Sequence, residues 1–409
     1  MSRKTATIII IFFILILVGF VVWFYFTKIK PSGEPLTPNG FDDGFIFPDS
    51  PASSGGKVVD NTTTGGEITT NVFRPRIIQL TNTPTSSGVL IKNDDVLLGR
   101  YIERATGHIY DILLSNLSKT RVSNTTIPKI YEVYWRESGE DGVVRYLDSD
   151  EESILTFSGE LQKSTDEQGD GSFPGVFLPK NIKNLSLAPS GKKLFYLLWT
   201  EDGSTGVSSN LDGTSKVQLW SAPLREWLVD WTSPTNISMT SKPSFDTQGS
   251  LFFLNTSTAY QTKVLGGIYG LTAKTNPDAS KIVYSQTKGS GFESFIYDVA
   301  TKKSQAMTVD TLPEKCVWST KTVYEIYCAI PTQIKGGYYP DDWYKGTVSF
   351  SDDIWKINTK NGLTEFIIGT NSATGEGIDS INLSLGPDEK FLLLTNKNDL
   401  TLWAVQMKE

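Results

Sequence analysis

The sequence predicts an all-β fold, a seven-bladed β-propeller over residues 74–409, and two observations carry that expectation. A turn-and-strand unit recurs at the length of one blade, and the final repeat is one strand short while an extra strand precedes the first. The first half of the unit is a turn rich in Pro, Asp, Ser and Gly that runs at once into an apolar strand. It reads NDDVLLG (93–99), EDGVVRYL (140–147), APSGKKLFYLL (188–198), SPTNISMT (233–240), NPDASKIVYS (276–285), STKTVYEIY (319–327) and GPDEKFLLL (386–394). With Asp94, Asp141, Ser190, Thr235, Asp278, Thr320 and Asp388 as markers, the spacings are about 47, 49, 45, 43, 42 and 68 residues, against roughly 40–50 for a four-stranded blade. The second half is a strand with an aromatic or large apolar centre, then a polar turn: HIYDILLSN, SILTFSGE, VQLWSAP, LFFLNTSTA, SFIYDVATKK, DIWKINTKNG and LTLWAVQ.

A ring follows from burial. A small twisted sheet that is apolar on both faces cannot stay soluble alone, so such sheets stack side by side until the circle closes, which also removes the open sheet edge. The strand RPRIIQLTN (74–82) is expected to complete the last blade, which otherwise has three strands. Six blades plus a separate hairpin is the competing count.

The PSG, NPD and GPD turns before KLFYLL, KIVYS and KFLLL resemble the repeat of TolB-like, WD-repeat-like bacterial propellers. The likeness covers about residues 74–409, though repeats two, four and six depart from the consensus turn. It implies partner binding by a scaffold more than chemistry.

Residues 6–27 (ATIIIIFFILILVGFVVWFYFT) carry no charge. At about 1.5 Å per residue such a helix crosses a hydrocarbon core of roughly 30 Å, and Trp23 and Tyr25 suit the membrane boundary. Bulky residues at its end argue for a retained single-pass signal-anchor over a cleaved leader. Residues 1–5 read as a cytoplasmic head with Arg3 and Lys4. Residues 28–73, rich in Pro, Gly, Ser and Thr, read as a disordered linker. The domain is thus expected at the cell membrane on the extracytoplasmic side, as a monomeric propeller binding a protein or envelope component. A net charge of −7 argues against nucleic acid.

Catalytic signals are weak, and no catalytic residue, metal ligand or cofactor is assigned. The single histidine, His108, opens an apolar strand, and a G-x-S-x-G elbow is missing. The acidic runs DSDEE (148–152) and DEQGDG (166–171) lack the spacing of a calcium loop. A carboxylate-based glycan-binding or hydrolytic propeller is the alternative function. Cys316 and Cys328 flank the turn of a predicted hairpin and face each other across it, which places a candidate disulfide there. The long spacing before the last marker comes from an insertion, 331–352, that carries Tyr338, Tyr339, Asp341, Asp342, Trp343 and Tyr344. Large rings beside carboxylates on a loop suit a binding surface; rings packed back on the blade as a loop anchor are the other reading.

Overall fold

The computed structural model describes residues 76–407, apart from 94–95, 165–169 and 181. The head, apolar segment and linker expected at 1–5, 6–27 and 28–73 lie outside the described residues. Among the described residues no helix is long and apolar enough to cross a membrane.

The strands form seven four-stranded antiparallel sheets. Six are uninterrupted stretches of chain, spanning 85–123, 130–177, 182–222, 227–269, 272–306 and 316–369. The seventh joins three strands of 380–406 to the strand Ile77–Gln79. That strand pairs with Leu402–Gln406 through Ile77↔Val405, Ile78↔Ala404 and Gln79↔Trp403. The chain therefore closes its own ring, as the missing and surplus strands predict.

The repeated turns have a common physical basis. In NPDA and GPDE, proline presets the first corner. Asp278 Oδ1 accepts from Ser280 N at 3.0 Å, and Asp388 Oδ1 accepts from Lys390 N at 3.0 Å. The next position is left-handed, with φ of +59° at Ala279 and +56° at Glu389, and Gly191 fills it in PSG. Blade six lacks this chemistry at STKT and takes it from its neighbour. The Glu389 carboxylate accepts from Ser319 Oγ at 2.9 Å and from Thr320 N at 2.8 Å.

Seven apolar clusters lie between the blades. One packs Leu393, Leu402 and Ala404 of blade seven on Leu90, Tyr101 and Ile112 of blade one; another packs Ile354 and Tyr327 of blade six on Leu392, Leu394 and Ile77. Each buried Leu or Ile contributes about 1.5–3 kcal/mol, and no blade holds these residues out of water alone. Cys316 and Cys328 face each other in register and form the disulfide. A loop of this size contributes about 3 kcal/mol by restricting the unfolded chain.

Blade three corrects one detail of the repeat. Its third strand is the small-residue stretch Gly203–Asn210, and VQLWSA, expected there, is the fourth. The Phe195 ring explains the composition: a Cβ on Gly206 would lie 2.4 Å from it.

Candidate recognition face

Because every blade is an antiparallel meander, the entries of the first strands and the links between second and third strands share one rim, here the top. The insertion is the link between strands Glu325–Pro331 and Asp352–Asn358 of blade six, so it lies on the top and runs across it as a strap.

Its attachments cross four blades. Toward blade four, Asp341 accepts from Phe245 N at 2.7 Å and Ser244 Oγ at 3.2 Å, and Tyr338 lies 4.4 Å from the Phe245 ring. Toward blade five, the Thr287 hydroxyl donates to the carbonyls of Tyr339 (3.1 Å) and Phe245 (3.2 Å). Phe292 meets Tyr339 edge-on at 5.2 Å. Toward blade seven, Lys397 Nζ donates to the Trp343 carbonyl at 2.7 Å, and Ser349 Oγ donates to Asn398 at 2.6 Å. Within the strap, Asp342, in the one-turn helix Asp341–Tyr344, accepts from Tyr338 N at 2.8 Å and ties the segment before the helix to it.

The six residues expected to form one binding loop are thus divided. Tyr339 and Trp343 are 1% and 4% exposed and pack with Phe292, Leu312 and Phe350. Of the four rings, Tyr339 and Trp343 turn inward and anchor the strap, as the second reading of the loop has it, and two are left for display. Tyr338 and Tyr344 remain outside, 60% and 38% exposed. The Tyr344 hydroxyl bonds the Glu314 carboxylate. The ring of Tyr344 is exposed but its hydroxyl faces inward on Glu314; burial of that hydroxyl, then the charge of Glu314, drives the Tyr344 pKa well above its usual value, and burial raises that of Glu314.

Beneath the anchor lies a cluster that sequence reading missed. The side chains of Lys315, Asp352 and Asp379 are wholly buried, with Lys315 Nζ 2.8 Å from Asp352 Oδ2 and 2.5 Å from Asp379 Oδ1. Asp379 also accepts from Trp343 Nε1 (3.1 and 3.0 Å), Ser349 Oγ (3.2 Å) and Phe350 N (3.1 Å). Asp352 Oδ2 accepts from Ser380 N at 2.6 Å, and Oδ1 has no hydrogen-bond partner. Burial pushes the Asp352 carboxyl up to about 6, against the opposing pull of Lys315. The one available signal was LPEKC, a lysine set between a turn proline and a buried strand.

The sign of that shift gives a prediction. Between about pH 4 and pH 6 the folded chain holds the Asp352 proton that the unfolded chain has lost, so the stability this group contributes falls as pH rises through 6. Asp352→Asn stays neutral throughout. Its melting temperature relative to wild type is expected to climb from pH 4 to pH 7; a difference constant over that range contradicts the burial of this carboxyl.

The other half of the top is open. A cleft of about 630 Å³ lies between blades one and two, lined by Glu103, Arg104, Lys129, Tyr131, Leu147 and Ile154. A register shift between Ile130 and Glu132 sets Tyr131 out of the first strand, and Arg104 Nη1 donates to its carbonyl at 3.1 Å. His108, at the same rim, shares a 3.3 Å hydrogen bond between Nε2 and Thr126 Oγ1. In the acidic run 148–152, Asp150 accepts from the backbone of Glu152 and Ser153 and forms a turn. No group of three His, Cys, Asp or Glu able to hold a metal ion occurs among the described residues.

These features define a seven-bladed β-propeller with a strapped top face. No family model matches the sequence, and no curated protein does. Solved structures share the architecture. An oligogalacturonate lyase in complex with manganese has a TM-score of 0.52 at 11% identity, over 81% of this chain and 93% of that one. An oligogalacturonate lyase from Vibrio parahaemolyticus gives 0.47 at 10%, over 81% and 94%. The propeller domain of Myceliophteria thermophila Cps50 (Swd1) gives 0.47 at 11%, over 81% and 100%. At 11% identity the likeness to the first of these shows the fold alone.

Proposed function

We propose that this chain is a membrane-tethered propeller held outside the cytoplasm, a scaffold or adaptor that binds a protein or cell-envelope component through its top face. The uncharged segment at 6–27 and the linker at 28–73 support the tether, and the Cys316–Cys328 bond suits an oxidising compartment. The turn chemistry supports kinship with TolB-like, WD-repeat-like propellers.

One observation carries the binding role. The strap is fixed at four blades and from below, yet leaves Tyr338 and Tyr344 outward. Rings held in place before a partner arrives lose little entropy on binding. A carboxylate-based glycan-binding or hydrolytic role would draw on the carboxyls of Glu314, Asp310 and Asp353, whose pKa values burial raises; Asp352 and Asp379 are sealed from any substrate.

Tyr338→Ala with Tyr344→Ala in the full chain is expected to reduce co-purification of its partner from solubilised membranes at least tenfold. The melting temperature should stay within about 4 °C of wild type, as for exposed positions. Unchanged co-purification would remove the strap from the interface.

A further inference from the structure

Lys315, Asp352 and Asp379 have no exposed side-chain surface. The Trp343 and Phe350 rings lie 5.1 and 5.4 Å from Lys315 Nζ and close the chamber. Three ionised groups in such a place leave one negative charge uncompensated and carry a large desolvation cost. An amide between the lysine and one aspartate would remove two of those charges.

We propose that Lys315 Nζ and Asp379 Cγ are joined by an intramolecular isopeptide bond that forms after folding, with Asp352 relaying the proton. The Asp352 carboxylate, 2.8 Å from Nζ, takes one proton from the ammonium. The amine so freed is next to Asp379, whose Oδ1 is 2.5 Å away, so that a small rotation of the amine brings it over the carboxyl carbon. Attack on Cγ forms the C–N bond and places charge on an oxygen already facing Trp343 Nε1 and Phe350 N, donors placed for a tetrahedral adduct.

The second Asp379 oxygen departs as water. Of the three ammonium protons, two leave with that oxygen, one delivered through Asp352, and one stays on the amide nitrogen. Ammonium plus carboxylate becomes amide plus water, Asp352 returns to its starting state, and no oxidant, reductant or cofactor is required. Asp379 is the acceptor because it holds the donor set; Asp352 has an oxygen without a partner and the carboxyl pKa near 6 that suits a relay. The bond would tie the entry of blade six to the entry of blade seven, next to the disulfide at Cys316.

The test is the mass of the full chain, reduced and alkylated, followed by tryptic mapping. The expected intact mass is lower by one water, about 18 Da, than that of the sequence with both cysteines alkylated. Trypsin should fail to cut after Lys315, and one branched peptide should contain Lys315 and Asp379. Asp352→Asn is expected to lower the linked fraction of freshly folded chain at least tenfold, and Lys315→Arg to abolish it. An unmodified mass with ordinary cleavage after Lys315 in the wild-type chain overturns the proposal, whatever the variants do. A fully linked Asp352→Asn chain overturns the relay.

Discussion

Trp343→Ala is expected to lower the stability of the propeller by about 3–5 kcal/mol, whereas Tyr344→Ala one position later costs about 1–2 kcal/mol. Trp343 is 4% exposed between Tyr344, Phe350 and the charged chamber, so truncation opens a cavity of indole size. It also takes from Asp379 the Nε1 donor at 3.0 Å, and a buried carboxylate short of a donor costs more than an apolar void. Tyr344 loses a partly exposed ring and one hydrogen bond to Glu314. Denaturant melts of the two variants measure the contrast. Equal costs would mean that the strap is not anchored as described.

Deleting Ile77–Gln79 is expected to cost more than about 5 kcal/mol and to make the chain associate through its bared edge. The deletion removes Ile77 from the cluster between blades six and seven, a loss of about 2–5 kcal/mol by itself. It also strips the ladder from Leu402–Gln406. The bared edge then offers unpaired N–H and C=O groups to another chain. Sedimentation and thermal melting of the deleted chain test this; a cooperative monomer with an unchanged midpoint would show that the ring closes without that strand.

The blades were legible because their signals are local. Proline, aspartate and a left-handed residue in NPDA or GPDE act within four positions, and a buried strand announces itself by its apolar run. Closure could be read because a strand was missing at one end and spare at the other. The Cys316–Cys328 pairing followed from hairpin register alone. Blade three was misread at its third strand because Phe195 fills space that side chains fill elsewhere.

The strap was legible as an insertion whose rings either display or anchor, but not as to which rings do which. Nothing in YYPDDWY says which rings turn inward, since that depends on Phe292, Leu312 and the chamber, brought there by other strands. Lys315 and Asp379 are 64 residues apart, and each looks like an ordinary surface charge until the ring sets blade six against blade seven. Local pattern cannot encode such a meeting.

Site-specific photocrosslinking in the native membrane tests the recognition face most directly, with a benzophenone side chain placed at position 338 on the strap or at exposed position 278 on the opposite rim. A discrete crosslinked product from 338, lost when Tyr344 is also replaced by alanine and never obtained from 278, is the result this account predicts. Product from 278 with none from 338 would contradict it.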